Sequence, residues 1–217
     1  MKVKYFIFNE FREITYIVYD EETRRGIIVD PGCNRESEQN RLVKFIEEND
    51  LSLECVVNTH GHLDHIVGNN FVKSKYGIPI LAHEKEVGNF TESEHYALFY
   101  EFPFVISPLP DRYIKEGDIV SFGNSHLNVI DTPGHTAGSI SLLSEKKEMI
   151  ISGDVLFKGS IGRTDLPGGD WDILVDTLKD KFFILPSETQ VFPGHGYITS
   201  IGEEIKSNPF LIEIIKG

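Results

Sequence analysis

The residues whose types and spacing point most directly to chemistry lie in a single stretch of six. It holds three histidines and one aspartate, at His60, His62, Asp64 and His65. The small Gly61 lets His60 and His62 converge on one cation, whereas Asp64 and His65 point elsewhere and suit a second cation. Imidazole nitrogens and carboxylate oxygens are ligands of Zn²⁺, Mn²⁺ or Fe²⁺. We interpret the stretch as the centre of a metal site and not as a polar loop with incidental histidines.

Three more donors follow apolar strands elsewhere in the chain, each in a short turn that contains glycine. They are His135, Asp154 and His195. Strands that end at one edge of packed sheets would bring these donors to the first cluster. The seven donors are too many for one tetrahedral ion, but they fit two ions that share a ligand, and a carboxylate such as Asp154 can bridge. Considered without the first cluster, His135 and His195 would be as readily interpreted as loop histidines as metal ligands.

The elements that must position these donors follow from the hydropathy pattern. Runs rich in β-branched and aromatic residues predict strands, and apolar residues at helical spacing predict helices. The predicted strands are 3–8, 14–19, 26–29, 53–58, 79–82, 119–122, 127–131, 140–143, 149–152 and 189–192, and the predicted helices are 37–49, 64–76, 171–183 and 201–207. Every candidate donor then lies in a turn after a strand or in the first turn of a helix.

Two features near these elements have more than one interpretation. Asp30 opens the turn Asp30-Pro31-Gly32, where it is either a turn residue or a carboxylate that orients a ligand histidine. The segment 90–110, which is rich in aromatic residues and includes Phe104, has no regular pattern and is either a lid over a pocket or a packed loop. His83 and His95 have no ligand partner nearby in the sequence, so we interpret them as surface or capping histidines.

Length, charge and cysteine content narrow the class of protein. A chain of 217 residues suits one sizeable core, so a single domain over residues 1–217 is expected. The net charge of −13 argues against a nucleic-acid partner, and no apolar run reaches the length of a membrane span. The N-terminus lacks the apolar region of a signal peptide, so a cytoplasmic protein is expected. Cys33 and Cys55 are too few for a disulfide framework, and Cys55 is expected to pack in the core.

The order of these donors resembles that of the metallo-β-lactamase superfamily and, within it, the short, single-domain glyoxalase II-like (hydroxyacylglutathione hydrolase-like) hydrolases. The supporting stretches are Val29-Asp30-Pro31-Gly32, Thr132-Pro133-Gly134-His135-Thr136, Ser152-Gly153-Asp154-Val155-Leu156-Phe157, Gly162-Arg163-Thr164-Asp165 and Phe192-Pro193-Gly194-His195-Gly196. The resemblance implies an α/β (α+β) fold, an αββα sandwich with metals at one edge. Only 22 residues follow His195, so the helical extension that helps glyoxalase II to hold glutathione is not expected.

The resemblance also implies a cofactor and a set of ligands. Two divalent metal ions are expected, with zinc as the first choice and iron or manganese as alternatives. The implied ligands are His60, His62 and His135 for one ion and Asp64, His65 and His195 for the other, with Asp154 between them.

Such a site would hydrolyse a small-molecule thioester. Bound metals lower the pKa of water, and the resulting metal-bound hydroxide attacks a polarised carbonyl. A hydroxyacyl thioester such as S-lactoylglutathione or an analogue suits the site because a thiolate leaves with little protonation. Asp64 is a candidate for proton transfer as well as a ligand. Arg163 either grips a substrate carboxylate or pairs with Asp165 or Asp170.

Three other activities and one non-enzymatic role compete with this interpretation. An iron-dependent persulfide dioxygenase of the same superfamily would use only His60, His135 and Asp154 as ligands. A lactonase fits the same donors, and a β-lactamase is disfavoured because no export signal is found. A non-enzymatic metal-binding protein would bind metal normally and turn over no ester or thioester.

Overall fold

The chain divides into two compact units. The first unit comprises Met1–Ile114 and Ile119–His126, and the second comprises Lys115–Asp118 and Leu127–Gly217. The computed structural model describes residues 1–103, 105–144, 146 and 148–216, so the predicted role of Phe104 in an aromatic segment lies outside the described residues. Each unit has its own sheet, helices and apolar core. The expected single domain and the cytoplasmic location stay predictions.

The first unit contains a six-stranded sheet, with strand order β1-β2-β3-β4-β5-β6. Its elements are β1 (Lys2–Phe8), β2 (Glu13–Tyr19), β3 (Arg25–Val29), α1 (Glu36–Glu48), β4 (Ser52–Val57), α2 (Leu63–Ile66), α3 (Asn69–Tyr76), β5 (Ile80–Ala82), α4 (Val87–Phe99), β6 (Arg112–Tyr113) and the hairpin strand β7 (Ile119–Phe122). The first three strands pair antiparallel, and β3, β4, β5 and β6 pair parallel. Parallel pairing brings the carboxyl ends of β3 and β4 to one edge of the sheet.

Two sequence predictions in the first unit are wrong in detail. The helix predicted over 64–76 is interrupted, because the amide of Gly68 donates to the carbonyl of Pro31 at 2.7 Å and ties the chain to the turn after β3. The segment predicted to be irregular begins with helix α4, which buries Phe90, Ser93 and Ala97 at helical spacing. The polar residues between them concealed this periodicity.

The second unit contains five strands of the second sheet and the small hairpin β11–β12. Its elements are β8 (Ser125–Asp131, which begins in the first unit), β9 (Ile140–Ser144), β10 (Met149–Gly153), β11 (Leu156–Phe157), β12 (Ser160–Ile161), α5 (Trp171–Thr177, continued by a π-helical turn, Leu178–Phe182), β13 (Gln190–Pro193), β14 (Thr199–Ser200), α6 (Ile201–Ser207) and α7 (Pro209–Lys216). The five strands of this sheet that lie in the second unit have the order β14-β13-β10-β9-β8. The sequence did not predict α7, whose first residue is a proline that the first turn of a helix tolerates.

Strand direction in the second unit places three loops at the same edge. Strand β9 runs antiparallel to both β8 and β10, and β10 runs parallel to β13. Strands β8, β10 and β13 therefore point in the same direction. The loops that follow them carry the three donors predicted outside the first cluster.

The burial of Cys55 agrees with the sequence prediction. Cys33 and Cys55 are free and buried, and burial raises the pKa of the Cys55 thiol to about 12. Across the part of the chain that the structure describes, we find no helix of sufficient length and apolarity for a transmembrane segment.

Candidate metal centre

The donors of the first unit lie where the parallel strands β3 and β4 end. Val29 pairs with Val57, so Asp30 and the stretch that begins at Thr59 lie side by side. Asp30 Oδ1 accepts a hydrogen bond from the Thr59 amide at 2.7 Å, and Oδ2 accepts one from the Thr59 hydroxyl at 2.6 Å. This carboxylate fixes the start of residues 59–65, which we call the ligand loop.

Asp30 also orients the ring of His65. The distance from His65 Nδ1 to Asp30 Oδ2 is 3.0 Å, and both side chains are buried. A carboxylate that accepts from Nδ1 leaves Nε2 with its lone pair for a metal. Asp30 adopts φ 49° in its turn, so it is a turn residue that also contacts a candidate ligand histidine.

The four donors of the first unit are spaced as ligands. His60 Nε2 and His62 Nδ1 are 3.1 Å apart, and His65 Nε2 and Asp64 Oδ2 are 3.6 Å apart. Zinc–nitrogen bonds of about 2.1 Å at tetrahedral angles put two ligand atoms roughly 3.4 Å apart. The first unit therefore presents two pairs of donors, each of which fits a divalent cation.

Three further side chains of the first unit hold the backbone of this loop, and the sequence did not identify them. Asn9 Nδ2 donates to the carbonyl of Asp64 at 3.1 Å, and Asn58 Nδ2 donates to that of His65 at 3.0 Å. Glu86 Oε2 accepts from the amide of Gly61 at 2.7 Å. Asn9 lies in the left-handed region with φ 48°, a conformation that asparagine tolerates better than most residues.

A buried carboxyl group, Glu13, lies near these donors and was also missed. It is fully buried and accepts from the Thr15 hydroxyl at 2.9 Å. Burial raises the pKa of Glu13 well above its usual range, and the carboxylates of Asp30 and Asp64 raise it further against the lowering influence of His65. In the metal-free protein the folded state therefore favours neutral Glu13.

We expect the metal-free Glu13→Gln variant to gain stability relative to the wild type as pH rises. Above an unfolded-state pKa of about 4.3 the unfolded chain releases a proton that folded Glu13 retains, so rising pH favours unfolding of the wild type. The difference in unfolding free energy should grow by up to about 1.4 kcal/mol per pH unit until the folded pKa is passed. Urea unfolding between about pH 5 and about pH 7 measures it, and a pH-independent difference would contradict a neutral Glu13.

The donors of the second unit follow β8, β10 and β13. Asp154 comes directly after β10, and His195 follows the parallel β13 by one residue. Asp154 Oδ2 is 3.6 Å from the Nε2 atoms of both His135 and His195. Equal distances to two imidazoles are expected of a carboxylate that two cations share. The second unit thus brings together all three donors predicted in it.

The loop of His135 is shaped by its packing on helix α5. Gly134 adopts φ 127°, and a Cβ there would lie 2.4 Å from Leu174 Cα, so only glycine fits. His135 Nδ1 lies 2.7 Å from the carbonyl of Arg163. Because a carbonyl can only accept, Nδ1 carries the proton and Nε2 presents its lone pair. A main-chain carbonyl leaves no signal in side-chain types, so the sequence could not indicate this contact.

The side chain of Arg163 pairs with Asp165. Its Nε and Nη2 atoms donate to the two oxygens of Asp165 at 2.7 and 2.6 Å, and both side chains are exposed. Hydrogen bonds from this guanidinium lower the pKa of Asp165 to about 2. The structure thus contains the predicted pair of Arg163 with Asp165. Binding of a substrate carboxylate by Arg163 stays a prediction.

Three further histidines, His83, His95 and His126, lie outside the donor groups. His83 Nδ1 accepts from the amide of Lys85 at 3.1 Å and caps a short 3₁₀ turn, Glu84–Glu86. His95 is exposed, and so is His126. The capping and surface interpretation of His83 and His95 is confirmed.

We expect Asp30→Asn to weaken the binding of one ion. An amide cannot accept from Thr59 and His65 as two carboxylate oxygens do, so the His65 ring loses its fixed orientation. Loss of such an orienting partner typically costs about 10–100-fold in metal affinity. Competition with a chromophoric chelator measures the affinity, and an unchanged value would show that Asp30 is only a turn residue.

Comparison with known proteins agrees with this geometry. A family model described as "Metallo-beta-lactamase superfamily" matches residues 11–195. The chain is 35% identical to the protein named hydroxyacylglutathione hydrolase GloC from Haemophilus influenzae, and the match covers 97% of this chain and 98% of the relative.

Two solved structures are also similar over nearly the whole chain. BLEG-1, described as a B3 metallo-beta-lactamase, has a TM-score of 0.88 and 31% identity, with 97% of this chain and 99% of the other covered. TTHA1623 in a di-iron-bound form has a TM-score of 0.85 and 31% identity, with coverage of 96% and 100%. These likenesses, with the mixed sheets and helices of the two units, confirm the predicted α/β fold class of metallo-β-lactamase type.

Proposed function

Since this chain belongs to the metallo-β-lactamase superfamily of metal-dependent hydrolases, we propose that it is a thioesterase that cleaves a hydroxyacyl thioester of a small thiol. The observation that carries the proposal is the position of Asp154 Oδ2, 3.6 Å from two imidazole Nε2 atoms. A carboxylate so placed suits a site for two ions. The substrate class is supported by the relative named hydroxyacylglutathione hydrolase, so S-lactoylglutathione is the first substrate to test.

The proposal requires that the donors of the two units serve one centre. The ligands would be His60, His62 and His135 for one ion, Asp64, His65 and His195 for the other, and Asp154 for both. Two observations support this division: His60 with His62, and Asp64 with His65, are each at the spacing of two ligands of one ion, and the similar TTHA1623 structure is described as di-iron-bound. Zinc is the first choice of metal because the donors are imidazoles and carboxylates, and iron or manganese would accept the same set.

Two divalent cations would supply Lewis acidity toward the carbonyl and a nucleophile derived from water near neutral pH. The chain's own contribution is to hold two of its imidazoles in one tautomer. Asp30 and the carbonyl of Arg163 keep the protons of His65 and His135 on Nδ1, so each Nε2 is available without rearrangement. Such preorganisation avoids reorganising the site during the reaction.

The reaction adds water across the acyl–sulfur bond. Water oxygen bonds to the acyl carbon, the carbon–sulfur bond breaks, and the products are a carboxylic acid and a thiol. A thiolate leaves with little protonation, so the site needs no strong acid beside the sulfur. Asp64 is half-buried, and we assign it the transfer of the proton released by water.

The test is a substrate panel with purified, metal-loaded protein. Thiol release from S-lactoylglutathione is compared with oxygen consumption on glutathione persulfide and with hydrolysis of a lactone. We expect thiol release from S-lactoylglutathione without oxygen uptake, in the presence of zinc, iron or manganese. Oxygen uptake on the persulfide without thioester hydrolysis would replace the proposal with an iron-dependent dioxygenase, and the absence of any turnover would favour a non-enzymatic metal-binding protein.

Hydrolysis of β-lactams is a second candidate. The similarity to BLEG-1, described as a metallo-beta-lactamase, extends over 97% of this chain at 31% identity. A chromogenic cephalosporin in the same panel tests this activity. Turnover of the cephalosporin with a higher kcat/KM than that of the thioester would favour this candidate.

A further inference from the structure

The Glu86 carboxyl group lies under the ligand loop of the first unit. Glu86 ends the turn before α4 and is fully buried. Its Oε2 atom accepts from the amide of Gly61 at 2.7 Å and from Asn89 Nδ2 at 2.8 Å. Gly61 is the residue between His60 and His62, so this hydrogen bond is made to the backbone that joins those two donors.

Gly61 lies directly against helix α4. A Cβ at Gly61 would lie 2.8 Å from Asn89 Cβ and 3.0 Å from Phe90 Cδ2. Phe90 in turn is buried against Ile66 of helix α2. Gly61 is buried, so the hydrogen bond to Glu86 satisfies a backbone donor that would be costly to leave unpaired.

The position of the Gly61 backbone determines the spacing of two ligand atoms. His60 Nε2 and His62 Nδ1 are 3.1 Å apart and belong to residues on either side of Gly61. Metal–ligand distances tolerate errors of only about 0.2 Å. We infer that Glu86 is a positioning residue for the His60–His62 pair, and so for one of the two ions; this rests on the two-metal centre of the proposed function.

The other donors of the first unit are anchored differently. Asp30 and Asn58 hold the side chain and the backbone of His65. Asn9 holds the backbone of Asp64. Removal of the Glu86 carboxyl group should therefore weaken the ion bound by His60 and His62 and leave the other nearly unchanged. A general loosening of the fold would weaken both ions together.

The experiment measures metal binding as well as activity. Wild type, Glu86→Ala, Glu86→Gln and Ser93→Ala are stripped with chelator, and thermal unfolding identifies a temperature at which each is folded. Ser93 is the matched control, because its buried hydroxyl donates to the carbonyl of Phe90 in the same helix at 2.7 Å and makes no hydrogen bond to the loop. Co²⁺ is then titrated by calorimetry, and its visible absorption reports the coordination of each ion.

The wild type and Ser93→Ala are expected to bind two ions per chain with the same spectrum. Glu86→Ala should lose about 10–100-fold in affinity for one ion, with a changed cobalt spectrum, and less than about threefold for the other. Glu86→Gln should recover most of the loss, because its amide oxygen still accepts from Gly61. If Glu86→Ala does not fold, Glu86→Asp provides the same test, because its shorter side chain withdraws the carboxyl group from the amide.

Equal weakening of both ions, or wild-type affinity for both, would overturn the positioning role of Glu86. Neither result would affect the thioesterase proposal, which is judged on wild-type turnover. Conversely, a wild type that binds two ions but hydrolyses no thioester would refute the proposed function and leave the Glu86 inference intact.

Discussion

Replacement of His62 by alanine is expected to lower kcat/KM for the thioester by more than about 100-fold, with the fold largely kept. Loss of a residue that merely orients a ligand already costs about 10–100-fold in metal affinity or activity, so loss of a ligand should cost more. His62 is half-buried at the start of α2 and its side chain caps no helix, so little of the fold depends on it. Steady-state thiol release measures the effect.

The matched control is His126→Ala. His126 is an exposed histidine outside the donor groups, and its replacement should leave kcat/KM and thermal stability near the wild-type values. Circular dichroism of the metal-free proteins separates loss of a ligand from loss of the fold. A folded His62→Ala protein with full thioesterase turnover would refute the role assigned to His62.

Replacement of Asp154 by asparagine is the second change with a large expected effect. The substitution keeps the shape of the side chain but replaces one carboxylate oxygen by an NH₂ group, which cannot bind a cation. Because Asp154 Oδ2 is equally near His135 Nε2 and His195 Nε2, both ions should be weakened. We expect kcat/KM to fall by more than about 100-fold and the metal content to fall below two ions per chain.

Metal analysis and turnover of Asp154→Asn are compared with those of Asp172→Asn. Asp172 is an exposed aspartate in the first turn of α5, and its replacement changes the net charge equally. Loss of one ion alone, with the other bound as in the wild type, would show that Asp154 is not shared. Unchanged activity would remove it from the site.

The donors could be found from the sequence because each lies next to a local signal. An apolar strand followed by a glycine turn and a histidine or aspartate occurs before His135, Asp154 and His195. Strand pairing then brings these three residues to one edge of the sheet, because β8, β10 and β13 all point in the same direction. The types and spacing of these residues were sufficient for this part of the site.

The residues that hold the donors in place could not be found in this way. Glu86 is 25 residues from Gly61, and Asn9 is 55 residues from Asp64, so their contacts depend on tertiary packing. Helix α4 packs against Gly61 of the ligand loop. Its apolar periodicity is obscured in the sequence by polar residues between its buried positions. Only Asp30 was anticipated, because a carboxylate in a turn after a strand is a familiar partner of a ligand histidine.

Arg163 illustrates the limit of sequence patterns for a charged side chain. Asp165 is two positions after Arg163 in the chain, so the pair observed was one of the alternatives that the sequence offered. The contact of its main-chain carbonyl with His135 spans 28 residues and involves no side-chain chemistry of Arg163. The residue therefore acts on the site through an atom that every amino acid possesses.

The most direct test of the account is a crystal structure of protein purified and grown without chelator, with the metals identified by anomalous scattering. We predict two ions about 3.5 Å apart, with Asp154 bound to both and the six other donors divided between them. A single ion, or His135, Asp154 and His195 bound to no ion held by residues 60–65, would contradict it.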